Sequence, residues 1–98
     1  MKIDTNKYYI VRGDRSGVFF GKINCQNGQK VQMIDARCLR YWDGAASVIE
    51  LSLNGTKKPN NCKFTVTVEE ITITDAIEII SCTEKATAII KAVKEWKA

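Results

Sequence analysis

The chain has 98 residues, of which 45% are hydrophobic and 27% charged, and its net charge is +4. These values are typical of a soluble globular protein with one modest core, so we expect residues 1–98 to form a single domain. The apolar runs are too short to cross a membrane, and residues 1–6 lack the apolar segment of a secretory signal. We therefore expect a cytoplasmic protein.

The cysteine and histidine content bears on metal binding and catalysis. The four cysteines include no closely spaced C-x-x-C pair, and the chain has no histidine. Structural zinc sites usually draw on such pairs, so we expect small buried thiols, with no metal and no cofactor. Because histidine is the commonest general base, we also expect that the protein is not an enzyme. The cysteines are Cys25, Cys38, Cys62 and Cys82.

Three strands are predicted in the first half of the chain. Residues 7–12 and 18–25 are rich in aromatic and β-branched side chains, and a polar turn separates them. Asn27-Gly28 is a strong hairpin signal that leads into a third strand over residues 30–41.

The register of this hairpin depends on the length of its loop. A two-residue loop mixes polar and apolar residues across the pair. A bulged loop that contains Gly28 places Ile23 opposite Val31. It also places Phe20 opposite Ile34, which agrees with the apolar pattern of both strands. We therefore predict the bulged loop.

A short helix is predicted after the third strand. Asp43 or Gly44 can cap a helix over residues 45–53. Ser47 and Glu50, however, have the spacing of a capping box, which would begin the helix one turn later. Both starting points stay open at this stage.

The second half of the chain predicts further strands and a final helix. Residues 63–73 alternate as a fourth strand, and residues 77–79 fit a helix and a fifth strand almost equally, of which we favour the strand. Thr83 caps a helix that begins at Glu84 and has apolar residues at i, i+3, i+4 and i+7. The prediction is a mainly antiparallel α+β domain, with a curled sheet of four or five strands and two short helices.

Residues 34–47 concentrate side chains that bind planar anions. Arg37 and Arg40 can fork onto a phosphate or carboxylate, and Tyr41 and Trp42 can stack on a ring. In an extended strand Arg37 shares a face with Tyr41, whereas Arg40 shares the opposite face with Trp42. The two arginines can therefore clamp one ligand only if a bulge intervenes. In the alternative interpretation Trp42 belongs to the core and the arginines cover its rim.

A second candidate anion site lies at the start of the first helix. Free backbone N–H groups beside Gly44 could bind a phosphate, although the carboxylate of Asp43 competes for them. Lys57 and Lys58, in the following polar loop, add positive charge and complete the set of candidate ligand-binding residues.

Positive charge and aromatic residues are concentrated in the same part of the chain. Residues 1–65 hold 11 Lys/Arg and 5 Asp/Glu, whereas residues 66–98 hold 4 and 6. Basic residues among aromatic ones suit a nucleotide or a single-stranded nucleic acid. The alternative is an ordinary sheet with aromatic side chains inside and basic ones along its edges.

The run A-R-C-L-R-Y-W-D-G-A-A-S at residues 36–47, together with later stretches such as G-T-K-K-P-N-N-C-K-F, resembles a known family. It is similar, over residues 8–97, to a family of small phage and prophage proteins that is defined only as a domain of unknown function. The resemblance implies a phage-encoded accessory protein that acts inside a bacterial host cell, and it carries no catalytic residues.

We therefore expect a non-enzymatic accessory protein that binds a small anionic ligand, such as a nucleotide signal of host defence, or a host protein. A nucleic-acid-binding accessory protein is the alternative. We expect no membrane partner, and we leave open a homo-oligomer.

Overall fold

The computed structural model describes residues 2–98, and its elements confirm an α+β fold with a curled antiparallel sheet. The sheet has six strands rather than four or five, because the predicted fourth strand is interrupted at residues 65–67. In chain order the elements are β1 (Tyr8–Gly13), β2 (Val18–Asn27), β3 (Lys30–Tyr41), α1 (Val48–Asn54), a 3₁₀ turn (Pro59–Asn61), β4 (Lys63–Phe64), β5 (Val68–Ile73), β6 (Ala76–Ser81) and α2 (Glu84–Ala92).

The long strand β3 organises the sheet. The strands β6, β1, β2 and β3 lie side by side in that order, and β3 pairs along its outer edge with both β4 and β5. Leu39 pairs with Phe64 of β4, while Val31 pairs with Ile73 of β5. Although β5 and β6 flank opposite edges of the sheet, only two residues connect them. The sheet must therefore curl round on itself.

This curl gives the sheet two buried faces. In β1, Tyr9 and Val11 point into the curl, and Ile10 between them points toward the helices. We call the two clusters the interior core and the helix-side core. The interior core comprises Tyr9, Val11, Phe19, Ile23, Val31, Met33, Ala36, Ile73 and Ala76. The helix-side core comprises Ile10, Phe20, Leu39, Leu51, Phe64, Ala86, Ile90 and Val93.

The predicted register of the β2–β3 hairpin is wrong. The turn consists of two residues, Gly28 and Gln29, and Ile23 lies opposite Met33 rather than Val31. Phe20 likewise lies opposite Arg37 rather than Ile34. The irregularities lie within the strands and not in the loop, because the register shifts twice along the pair. An alternating pattern cannot locate such shifts, since each one exchanges the faces of all the residues beyond it.

The structure confirms the prediction for α2 and selects the later of the two starting points for α1. The first helix begins at Val48, because Ser47 accepts a hydrogen bond of 3.1 Å from the backbone N–H of Glu50. Thr83 caps α2 by accepting from Ala86, and residues 76–81 form the favoured strand. Within residues 2–98, no helix has the length and apolar character needed to cross a membrane.

Gly21 is required by the close approach of β3. A Cβ atom at Gly21 would lie 2.8 Å from both the Cα and Cβ atoms of Ala36. We expect Gly21→Ala to lower the free energy of unfolding by about 2 kcal/mol, because a fully buried strand backbone must shift. Urea unfolding measures the change. Cys25→Ala, at an exposed position of the same strand, should stay within about 0.5 kcal/mol of the wild type. Equal stability of the two variants would contradict the close-approach argument.

Candidate functional site

Arg37, one of the predicted ligand-binding residues, is buried in the structure. Its exposed fraction is 4%, and its guanidinium donates hydrogen bonds to four backbone carbonyl groups. These acceptors belong to Phe64 and Thr65, at and after β4, and to Ile90 and Val93, at the end of α2, at distances of 2.9–3.1 Å. The hydrogen bonds of the guanidinium therefore join α2 to the sheet.

The electrostatics of Arg37 follow from this position. Burial lowers the pKa of the guanidinium, while the charge of Glu95 raises it. Arginine nevertheless remains protonated, so a positive charge stands at the carboxyl end of α2. The carbonyls at the end of a helix carry the negative end of its dipole, which makes a cation favourable there.

At the predicted anion site at the start of α1, internal acceptors occupy several of the backbone N–H groups. The N–H of Gly44 donates to the carboxylate of Asp43 at 2.8 Å, and that of Ala46 donates to Glu50 at 2.8 Å. Because the chain's own carboxylates and the Ser47 hydroxyl accept from the amides of this segment, these groups are not presented to an external anion. Position 44 requires a glycine for structural reasons. Its φ is 84°, and a Cβ atom there would lie 2.5 Å from the N atom of Lys58.

The other predicted residues on this side of the molecule lie on the surface and are not brought together with Arg40. Lys57 and Lys58 are exposed, and the ammonium of Lys58 lies 3.9 Å from the carboxylate of Asp43. Tyr41 is 53% exposed and pairs with Lys63 of β4. Their predicted roles in ligand binding remain predictions.

Arg40 and Trp42 line the same groove, although Trp42 follows the end of β3 and packs against the helix-side core. This groove has a volume of about 310 Å³ and lies at one end of the curled sheet. We call it the arginine groove. Its lining residues are Arg15, Ser16, Gly17, Val18, Cys38, Leu39, Arg40 and Trp42.

The β1–β2 turn brings Arg15 to this groove, and Asp75 holds the turn in place. The carboxylate of Asp75 accepts hydrogen bonds from the backbone N–H groups of Arg15 at 2.7 Å and Ser16 at 3.0 Å. It also accepts from the hydroxyl of Ser16 at 2.6 Å, and this bond is the largest cause of the lowered pKa of Asp75. These hydrogen bonds hold the backbone of the turn at Arg15 in place.

The two arginines of the groove are not neutralised. Neither Arg15 nor Arg40 forms an ion pair in the part of the chain that the structure describes, and no carboxylate lines the groove. Arg12, by contrast, pairs with Glu78. Trp42 is partly buried against the helix-side core, so its indole has a firm support. Two guanidinium groups beside an indole can bind an anion that carries a planar ring.

Sequence reasoning missed Arg15 as a site residue. It lies in a polar turn 25 positions before Arg40. Only the pairing of β2 with β3, which sets Phe19 opposite Cys38, places this turn beside the end of β3. The sequence shows only an arginine in a turn between two glycines, and this does not indicate which residues lie near it in the fold.

The cysteines are free thiols, and their environments differ from the prediction. Cys25 is exposed, and the other three are only partly buried rather than fully so. Burial raises the pKa of Cys82 to about 12 and also raises that of Cys38. Both are therefore thiols at neutral pH. Among residues 2–98, no three cysteine or carboxylate side chains lie close enough together to hold a metal ion.

Comparison with known proteins identifies the family. Residues 6–90 match the family described as Domain of unknown function (DUF6948). The chain belongs to this family. The DUF6948 match contains every strand and the whole arginine groove, and it ends at Ile90, within α2. No curated protein and no solved structure matches the chain.

The two arginines of β3 should differ sharply in their effect on stability. We expect Arg37→Met to reduce the free energy of unfolding by about 3 kcal/mol. The carbonyls of Thr65 and Val93 lose their donor, and two further buried carbonyls lose one of the two donors that they share. Arg40→Met, the same change at an exposed position, should alter it by no more than about 0.5 kcal/mol. Urea unfolding of both variants checks this contrast. A loss of similar size in the two would contradict the structural role of Arg37.

The role of Asp75 predicts a dependence of stability on pH. Because its pKa is lowered in the folded state, the ionised form stabilises the protein above about pH 4, and this contribution disappears as the pH falls through the lowered value. Asp75→Asn should therefore lower the Tm most between pH 5 and pH 7, and the difference should shrink toward about pH 2. Asp14→Asn, in the same turn, is the control and should leave the Tm unchanged at neutral pH. A pH-independent difference for Asp75→Asn would contradict the ionic contribution.

Proposed function

We propose that this protein is a non-enzymatic accessory protein of a phage or prophage, and that it binds a small anionic ligand in the arginine groove. The observation that carries the proposal is the pair of unneutralised guanidinium groups, Arg15 and Arg40, beside the indole of Trp42. The phage context rests on the resemblance of residues 36–47 and the later stretches to a phage protein family.

A nucleotide signal of host defence is the ligand class that we propose. A nucleotide combines phosphate charge with a planar base, and the groove combines arginine forks with an aromatic ring. A volume of about 310 Å³ lies at the lower end of the range for small-molecule sites, so a small ligand fits better than a large one. In the second form of the proposal, a host protein places a carboxylate side chain on the same arginines.

The side chains of the groove favour binding over catalysis. Its titratable groups are two arginines, which remain protonated, and Cys38, whose pKa burial raises. A general base needs a pKa near the working pH, and a thiol nucleophile needs a lowered one. Neither kind of group lines the groove, which supports a protein that captures a ligand and leaves it chemically unchanged.

A second basic and aromatic surface favours the alternative, a nucleic-acid-binding accessory protein. The ammonium groups of Lys22 and Lys91 lie 5.5 and 4.8 Å from the centre of the Tyr8 ring. Lys7 lines the adjoining cavity, which has a volume of about 340 Å³, although Glu84 also lines it. Tyr8 in turn stacks on Phe20, with ring centres 4.9 Å apart. Lysines around a supported ring can track a nucleic-acid backbone.

Titration calorimetry with a panel of linear and cyclic nucleotides tests the proposal. We expect at least one member to bind, and Arg15→Gln and Arg40→Gln should each weaken it roughly tenfold or more, because each removes charge-assisted hydrogen bonds. Lys30→Gln removes the same charge at an exposed position outside the groove and should leave the affinity unchanged.

Two outcomes would contradict this proposal. The first is that no nucleotide in the panel binds, and the second is that Lys30→Gln weakens binding as much as the arginine variants. Retention on single-stranded DNA or RNA that falls steeply with salt, and that is lost in Lys22→Gln and Lys91→Gln, would instead support the nucleic-acid alternative.

A further inference from the structure

A second cavity opens next to the arginine groove at the same end of the sheet. Its volume is about 280 Å³, and its lining is mostly apolar. We call it the valine cleft. The apolar residues that line it are Phe19, Ala36, Cys38, Val66, Val68 and Ile71.

The valine cleft and the arginine groove are consecutive parts of one surface. Ala36 lies in the interior core, Cys38 packs against it, and both line the cleft. Cys38 also lines the groove, together with Arg40. Because alternate residues of a strand share a face and lie about 7 Å apart, the face of β3 passes from Ala36 through Cys38 to Arg40. It therefore changes from apolar to cationic within about 13 Å.

The apolar end of this surface is unusually accessible. Val66 is 44% and Val68 is 43% exposed, whereas Phe19 beneath them is 8% exposed. The cleft exists because the chain leaves the edge of β3 after Thr65, whose N–H still donates to the carbonyl of Cys38, and pairs with β3 again only at Val68. This break between β4 and β5 exposes part of the interior core. The exposed part adjoins the arginine groove, where Arg15 and Arg40 have no ion-pair partner in the described part of the chain.

We infer that the ligand of the arginine groove is an amphiphilic anion, whose phosphate or carboxylate binds Arg15 and Arg40 and whose hydrocarbon or aryl group enters the valine cleft. The inference rests on the anion site of the proposed function and, among small anionic ligands, favours an amphiphile over a nucleotide. No carboxylate lines either cavity, so the charge of the surface complements an anion along its whole length. The apolar cleft favours an aryl or alkyl group over the polar edge of a nucleobase, which would need hydrogen-bond partners there.

A comparison of three probes tests the inference: inorganic phosphate, adenosine monophosphate and 1-naphthyl phosphate. We expect 1-naphthyl phosphate to bind at least tenfold more tightly than either of the others, because only it carries a large hydrocarbon group. Val68→Thr should weaken 1-naphthyl phosphate roughly fivefold, since it replaces an apolar methyl group by a hydroxyl of similar size. The same variant should leave the affinities for phosphate and adenosine monophosphate unchanged.

Two further variants separate this inference from the proposed function. Ile77→Thr, at a 44% exposed position of β6 outside the cleft, controls for the loss of an exposed apolar side chain. Arg40→Gln should weaken all three probes. If Arg40→Gln weakens every probe and Val68→Thr weakens none, the naphthyl group stacks on Trp42 alone; the inference then fails, and the proposed groove stands. If none of the probes and no nucleotide binds, both fail.

Discussion

The fold depends on the guanidinium of Arg37. It donates to carbonyls at the end of α2 and at the end of β4 and just after it, and so it joins two elements that lie far apart in sequence. The helix-side core closes over the same region, with Phe64 and Ile90 both fully buried. A planar fork with a permanent charge suits this position, because a lysine could not reach acceptors on two elements in the same way. The most deeply buried cation of the β3 segment therefore serves the architecture.

The orientation of Arg37 also determines the candidate site. Because Arg37 points toward α2, its neighbour Cys38 points toward the interior core, and Arg40 emerges at the end of the sheet. The Asp75 carboxylate brings the second arginine of the groove, Arg15, from a distant turn. The arginine groove and the valine cleft therefore both depend on which way the side chains of β3 point, and the groove also depends on the β1–β2 turn that Asp75 holds. A ligand that uses both must be charged at one end and apolar at the other.

Local patterns predicted most of the elements. The strands near both termini, the capped helix α2 and the capping box of α1 all follow from residue types and spacings within a few positions. The register of β2 and β3 could not be predicted in this way. It depends on Asp35, whose φ is 49°, and on Gly21, which admits the backbone of β3. The local sequence supports several alignments, and only packing across the sheet selects one of them.

The same division holds for the site. By itself, the sequence determined the α+β class, the alternation that puts Arg37 and Arg40 on opposite faces of β3, and the surplus of basic and aromatic residues before position 66. Only the tertiary structure decided which arginine is buried, that the amides near Gly44 are already occupied, and that Arg15 lies beside Arg40. The physical reason is that hydrogen bonding and desolvation depend on neighbours from distant parts of the chain. The sequence does not show whether an arginine side chain will bind buried backbone carbonyls or lie in solvent, because the tertiary structure sets its environment.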